Sequence, residues 1–170
     1  MKTVMTFFPE TRLAKLAARP GGVMRDIAIE NAKQSVEGMR GEGDDAIKRE
    51  MDEIEKILEG VQDNRIPVDQ TKAILRHADQ LVTLAATFGY EPLARCMRSL
   101  CDVADGVVRA NIDDAAPIAV HVHSMRLLAP GSEVLSAEQV ELVLGELSKI
   151  LTHYEFRSIA ADDPQIPMSR

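Results

Sequence analysis

Residues 67–107, PVDQTKAILRHADQLVTLAATFGYEPLARCMRSLCDVADGV, decide the fold. In the first half Ile74, Ala78, Leu81, Ala85 and Phe88 recur at steps of three and four, the period of one helix face. Pro67 suits the first turn of that helix, where a missing N–H costs nothing. Gly89 is a natural stop because glycine adopts the left-handed conformation that ends helices. Pro92 then opens a second helix with the stripe Leu93, Met97, Leu100, Ala104 and Val107, and Cys96 beside it. Two long amphipathic helices joined by so short a turn are expected to lie antiparallel.

The same period runs outward in both directions. Upstream, Ile27, Ala28, Ala32, Val36 and Met39 mark a helix over 26–39, and Gly41-Glu42-Gly43-Asp44 reads as the turn that closes it. The cleanest stripe is Ile47, Met51, Ile54, Leu58 and Val61, in a helix over 45–61 whose acidic cluster reads as a solvated face. Asp63-Asn64-Arg65 makes a turn. Downstream, Asp113-Asp114 and Pro117 begin a helix that reaches Leu128 and is broken by Ala129-Pro130-Gly131. Ser136 and Gln139 form a capping-box pair ahead of Val140, Val143, Leu144, Leu147, Ile150, Leu151 and Tyr154. No segment alternates with the period of a strand, so the predicted class is all-α, an antiparallel helical bundle.

At 170 residues the chain suits one ordinary domain. Its expected organisation is a basic N-terminal arm over 1–22, a bundle domain over 23–156 and a C-terminal tail over 157–170, frayed around Asp162-Asp163-Pro164 and Pro167. In the arm Lys2, Arg12, Lys15 and Arg19 against Glu10 give +3, so the rest sums to −10 within a total of −7. That acidic balance, with 4% aromatics and no Trp, argues against nucleic acid, whose phosphates call for a basic excess. No apolar run approaches the roughly 20 residues of a membrane span, and the N-terminus lacks a secretion-signal pattern. A cytoplasmic protein without a membrane partner is the expectation.

Catalytic signatures are missing: no Gly-rich phosphate loop, no nucleophile elbow, no His-Glu-x-x-His, no Cys-x-x-Cys-His. Cys96 and Cys101 have no metal or redox spacing and read as small core residues. His121 and His123 stand about 200° apart on one helix and cannot share an ion. His121 shares its side with Ile118, Val122, Met125 and Leu128 and reads as a hydrogen-bonded histidine at the core edge; His123 lies opposite with Ala119, Val120 and Leu127. No metal site, cofactor or catalytic residue is therefore expected. On the helix over 67–88, Asp79 lies away from the core stripe among Leu75, Val82, Thr83 and Ala86, a carboxylate in a small, largely apolar patch. These five are the candidate partner-binding residues.

The run from Asp79 to Gly106 resembles the central hairpin of histidine-containing phosphotransfer (HPt) domains. Leu81 matches the Leu of the family's His-x-Leu-Lys-Gly pattern, Phe88-Gly89 match its closing apolar-Gly pair, and Leu93-Ala94 open the second helix. The resemblance implies a four-helix core that docks response-regulator receiver domains. The departures are specific: the phosphoacceptor histidine falls on Asp79, the lysine on Val82 and the glycine on Thr83. A carboxylate is a poor relay for an aspartyl phosphate, because nucleophile and leaving group are then the same weak base. The segments LAARPGG at 16–22, TFGYEPLARCMRSLCDVAD at 87–105 and IAVHVHSMRLL at 118–128 are also similar to small alphaproteobacterial accessory proteins labelled chemotaxis protein CheE. Together these resemblances imply a non-catalytic accessory of two-component or chemotaxis signalling that binds a receiver or histidine kinase domain. The alternatives are a structural homodimeric bundle and an active phosphorelay protein using His77, His121 or His123.

Overall fold

A computed structural model of the chain describes residues 21–156. The tail over 157–170 and nearly all of the basic arm lie outside the described residues. Among the described residues six helices follow in order: α1 (Arg25–Gly38), α2 (Arg40–Glu59), α3 (Val68–Thr87), α4 (Glu91–Ala110), α5 (Ala116–Leu128) and α6 (Ala137–His153). Among the described residues the only β pairing is two isolated bridges, so the architecture is the all-α bundle that the periodicity dictates.

Two compact units meet in sequence between Gly38 and Met39. Helix α1 belongs to the first unit and buries none of its residues, Ile27 being 51% exposed. A helical period specifies a helix; it does not specify a partner for its apolar side. In the second unit α4 packs against α3, α5 and α6, and α2 packs against α3 while meeting α5 only narrowly. Each helix from α2 to α6 contacts the next across a short connection, which makes the course up and down. Helix α4 is the centre: Leu93, Ala94, Cys96, Met97, Leu100, Val103 and Ala104 have no exposed surface. Its small residues, with Ala78 and Ala85 of α3 equally buried, let helix axes approach closely while Leu81, Ile74 and Leu100 fill the space between.

Gly41-Glu42-Gly43-Asp44 is helical, contrary to the expectation of a turn; the break is at Met39. The reason is a contact 45 residues away in sequence. Gly43 is buried against the ring of Phe88, and a Cβ there would overlap the ring. The glycine serves close approach rather than chain reversal. Arg40 secures the same corner by donating from Nη1 to the Phe88 carbonyl at 3.0 Å, and the Tyr90 hydroxyl donates to Asp44 Oδ1 at 2.7 Å. The α3 stop is as expected, with Gly89 at φ +83°.

At the opposite end two loops are stitched together. Asp63 and Asn64 both take positive φ, 52° and 57°, and turn the chain so that Gln62 bridges Arg65. The Ile66 N–H then donates to the Asp113 carbonyl at 2.8 Å and the Ala115 N–H to the Asn64 carbonyl at 2.9 Å. Asp114 is the hub of this end. Its Oδ1 accepts from Asn64 Nδ2 at 2.7 Å and from the Ala116 N–H at 2.9 Å, and its Oδ2 accepts from the Tyr154 hydroxyl at 2.7 Å. Those donors hold its carboxyl below the usual carboxylate range, the Tyr154 hydroxyl contributing most, and the same bond pushes the Tyr154 phenol up to about 12. The capping box of α6 forms as its sequence specifies, with Gln139 N–H on Ser136 Oγ and Ser136 N–H on Gln139 Oε1.

Candidate functional site

Helix α3 is flanked by two neighbours, and its side chains divide accordingly. His77 turns towards α2, where its Nδ1 lies 2.7 Å from Glu50 Oε2. Asp79, about 200° around the helix, is exposed on the α4 side, where its charge acts on the Cys101 thiol. His77 and Asp79 are thus held on different flanks, and His77 is half-buried with a carboxylate partner.

The five candidate partner-binding residues do not share one environment. Asp79, Thr83 and Ala86 are exposed. Leu75 and Val82 are half-buried and packed against the core, which corrects the expected outward apolar patch. On a helical wheel these two stand only about 90° from the centre of the core stripe, so a helix with a neighbour on each flank draws them in. What remains outward is a carboxylate among small side chains. Thr83 donates its hydroxyl to the Asp79 carbonyl at 3.4 Å, and Thr87 does the same to Thr83 at 2.8 Å, so both hydroxyls fold back onto the helix.

His121 and His123 follow the helical phase expected of them. His121 has no exposed surface. Its Nδ1 lies 2.7 Å from the Pro117 carbonyl, which can only accept, so this nitrogen carries the proton. Its Nε2 accepts from the Ser99 hydroxyl at 2.9 Å. Burial is the main cause that pushes its pKa down, opposed by the bond to Pro117. His123 is exposed on α5. Cys96 and Cys101 are free, buried thiols, both pushed up to about 12 chiefly by desolvation, and so unreactive as thiolates. Among the described residues no cluster of His, Cys, Asp and Glu could hold a metal ion, and no helix is long and apolar enough to cross a membrane.

A second surface feature was not legible from the helical stripes. Where α2 and α5 diverge, a groove opens in two cavities of about 460 and 490 Å³. The partition between them is an ion pair: the Arg126 guanidinium grips the Glu55 carboxylate in a fork, with Nη2 to Oε2 at 2.6 Å. Both residues line both cavities. They are 71 positions apart, so no local pattern pairs them. No protein-family model matches the chain, and a sequence search of curated proteins finds none that matches it.

Proposed function

We propose that the chain is a non-catalytic accessory of two-component or chemotaxis signalling that docks a receiver or histidine kinase domain through the outward face of α3. The observation that supports this reading is the exposure of Asp79 halfway along a 20-residue helix, at the position where the HPt resemblance expects the phosphoacceptor. Its exposed neighbours Thr83 and Ala86 are small, so a partner can approach the helix backbone closely around a fixed negative charge. A basic group on the partner finds that charge, and the half-buried edges of Leu75 and Val82 supply apolar contact. Asp79 occupies the acceptor's place without relaying phosphate, so the chain competes with a true phosphotransfer protein for the same partner.

The test is titration of receiver domains and kinase domains from a chemotaxis system against the full chain. Asp79→Arg and Ala86→Arg alter exposed positions, leave the core untouched, and are expected to weaken binding by more than about tenfold. Unchanged affinity in the folded variants, or no binding by any receiver or kinase domain, defeats the reading. Incubation with a phosphorylated receiver should leave the chain unlabelled. Label that disappears in His123→Ala would instead support a phosphorelay, since His123 is the exposed histidine of the three candidates. A dimeric mass that persists on dilution, with no receiver binding, would support the structural homodimer.

A further inference from the structure

From the α2–α5 groove we infer a second docking site, independent of the α3 face, that takes a basic amphipathic helix from a partner protein. Three observations converge on it. First, α2 and α5 meet only narrowly, bridged by Glu55–Arg126, and two cavities open along this line. Second, the groove has apolar walls, with the half-buried Leu58, Val61 and Ala119 lining one cavity and Ala129 and Pro130 the other. Those walls continue outward onto α5. Val120 and Leu127, 46% and 51% exposed, stand about 100° and 80° around the helix from Ala119, the groove residue on their side, with His123 between. A helix laid in the groove and leaning over His123 reaches the Leu127 side of α5. Third, the rim carries the charge such a helix must meet. Asp44, Asp45, Asp52, Glu55 and Glu59 line the two cavities against Lys48 and Arg126, a local balance of −3. Asp52 and Glu59 act on Arg126 at longer range than Glu55 does.

The occupant follows from that chemistry. An apolar stripe fits the walls, and lysines or arginines flanking it answer the acidic rim, in the way that helices are recognised in grooves elsewhere. An acidic helix is repelled by the same rim. Helix α5 is 13 residues long, so a partner helix of about 14 residues, at about 1.5 Å per residue, spans it.

The probe is a labelled synthetic peptide of about 14 residues with a Leu/Ala stripe and Lys flanks, titrated against the full chain by fluorescence anisotropy. Its controls are the same peptide with Glu for Lys and a scrambled Lys peptide of equal charge. The Lys peptide is expected to bind, and both controls to bind at least about tenfold more weakly. Leu127→Glu and Glu59→Lys, at exposed positions, should each weaken the Lys peptide; a circular dichroism spectrum confirms that the variants fold. The conservative Glu59→Gln should give a smaller loss in the same direction, greater at low salt than at high. Asp79→Arg should leave this affinity unchanged while weakening receiver binding, which separates the two sites. Equal binding of the Lys and Glu peptides, equal binding of the scrambled peptide, or indifference to Leu127→Glu and Glu59→Lys in folded protein overturns the inference. So does concentration-dependent self-association lost in Leu127→Glu, which would make the occupant a second copy of the chain.

Discussion

The α3–α4 hairpin and the α2–α5 seam belong to one bundle but are closed by different forces. Into the core α3 sends Ile74, Ala78, Leu81 and Ala85 and α4 sends Leu93, Met97, Leu100 and Ala104, none with exposed surface. At the seam α2 and α5 meet only narrowly, and their surface link is a carboxylate and a guanidinium, the Arg126 side chain more than half exposed. Fully burying a Leu side chain contributes about 1.5–3 kcal/mol, whereas ion pairs open to water contribute little because solvent screens them and two long side chains lose freedom. The hairpin is therefore expected to carry more of the stability than the Glu55–Arg126 pair.

The largest expected effect comes from breaking the hairpin. Leu81→Ala removes a side chain with no exposed surface and leaves a void that close-packed neighbours cannot fill, which should cost about 2–5 kcal/mol in urea denaturation. A loss below about 1 kcal/mol would mean that the hairpin is not the stable half. Next comes the stitched end, which joins both regions through Asp114. Asp114→Ala strands Asn64, Tyr154 and the first turn of α5, for an expected loss of about 1–3 kcal/mol, partly restored by Asp114→Asn, which keeps an acceptor. Equal stability of the Asn and Ala variants would show that its hydrogen bonds contribute nothing.

A smaller effect is set by pH. His121 is held neutral by burial, so its folded pKa lies below its unfolded value of about 6.5, and below that pH the unfolded chain binds a proton that the folded chain refuses. Stability then falls with falling pH, by at most about 1.4 kcal/mol per unit for one group. The contribution of Asp114 has the depressed-carboxylate form: it is present above about pH 3.9 and is lost as pH falls through its lower folded pKa. Thermal melts between pH 7 and 5 should slope in the wild type and flatten in His121→Gln. An unchanged slope in that variant would assign the dependence to another group. The smallest effect is expected at the seam, where Arg126→Ala should shift Tm by an amount near the limit of detection. A marked loss there would erase the contrast between the two regions.

The hairpin was legible because its information is local. Pro67, Gly89, Pro92 and the two stripes lie within about 40 residues, and the helix bounds they imply match α3 and α4 to within a residue or two for most ends. His121 was legible too, since helical phase alone put it with Ile118, Val122 and Met125. The candidate site was legible only in part. Asp79, Thr83 and Ala86 are outward as expected, but the depth of Leu75 and Val82 depends on how far α4 wraps the flank of α3, and nothing in the sequence of α3 encodes that. Gly43 misled for a related reason, because a glycine pair signals a turn until the Phe88 ring that needs the space is known.

By itself the sequence determined the helices, their order and the apolar side of each, because hydrophobic period, prolines and caps act over one or two turns and need no knowledge of the rest of the chain. Tertiary structure alone decided which helices pair tightly and which diverge, that α1 buries none of its residues, that Asp114 joins Asn64 to Tyr154, and that Glu55 meets Arg126 across a groove. These contacts bring together residues 40 to 71 positions apart. They arise only when bundle packing has fixed where each helix face points, and a helical period carries no record of what will stand opposite it.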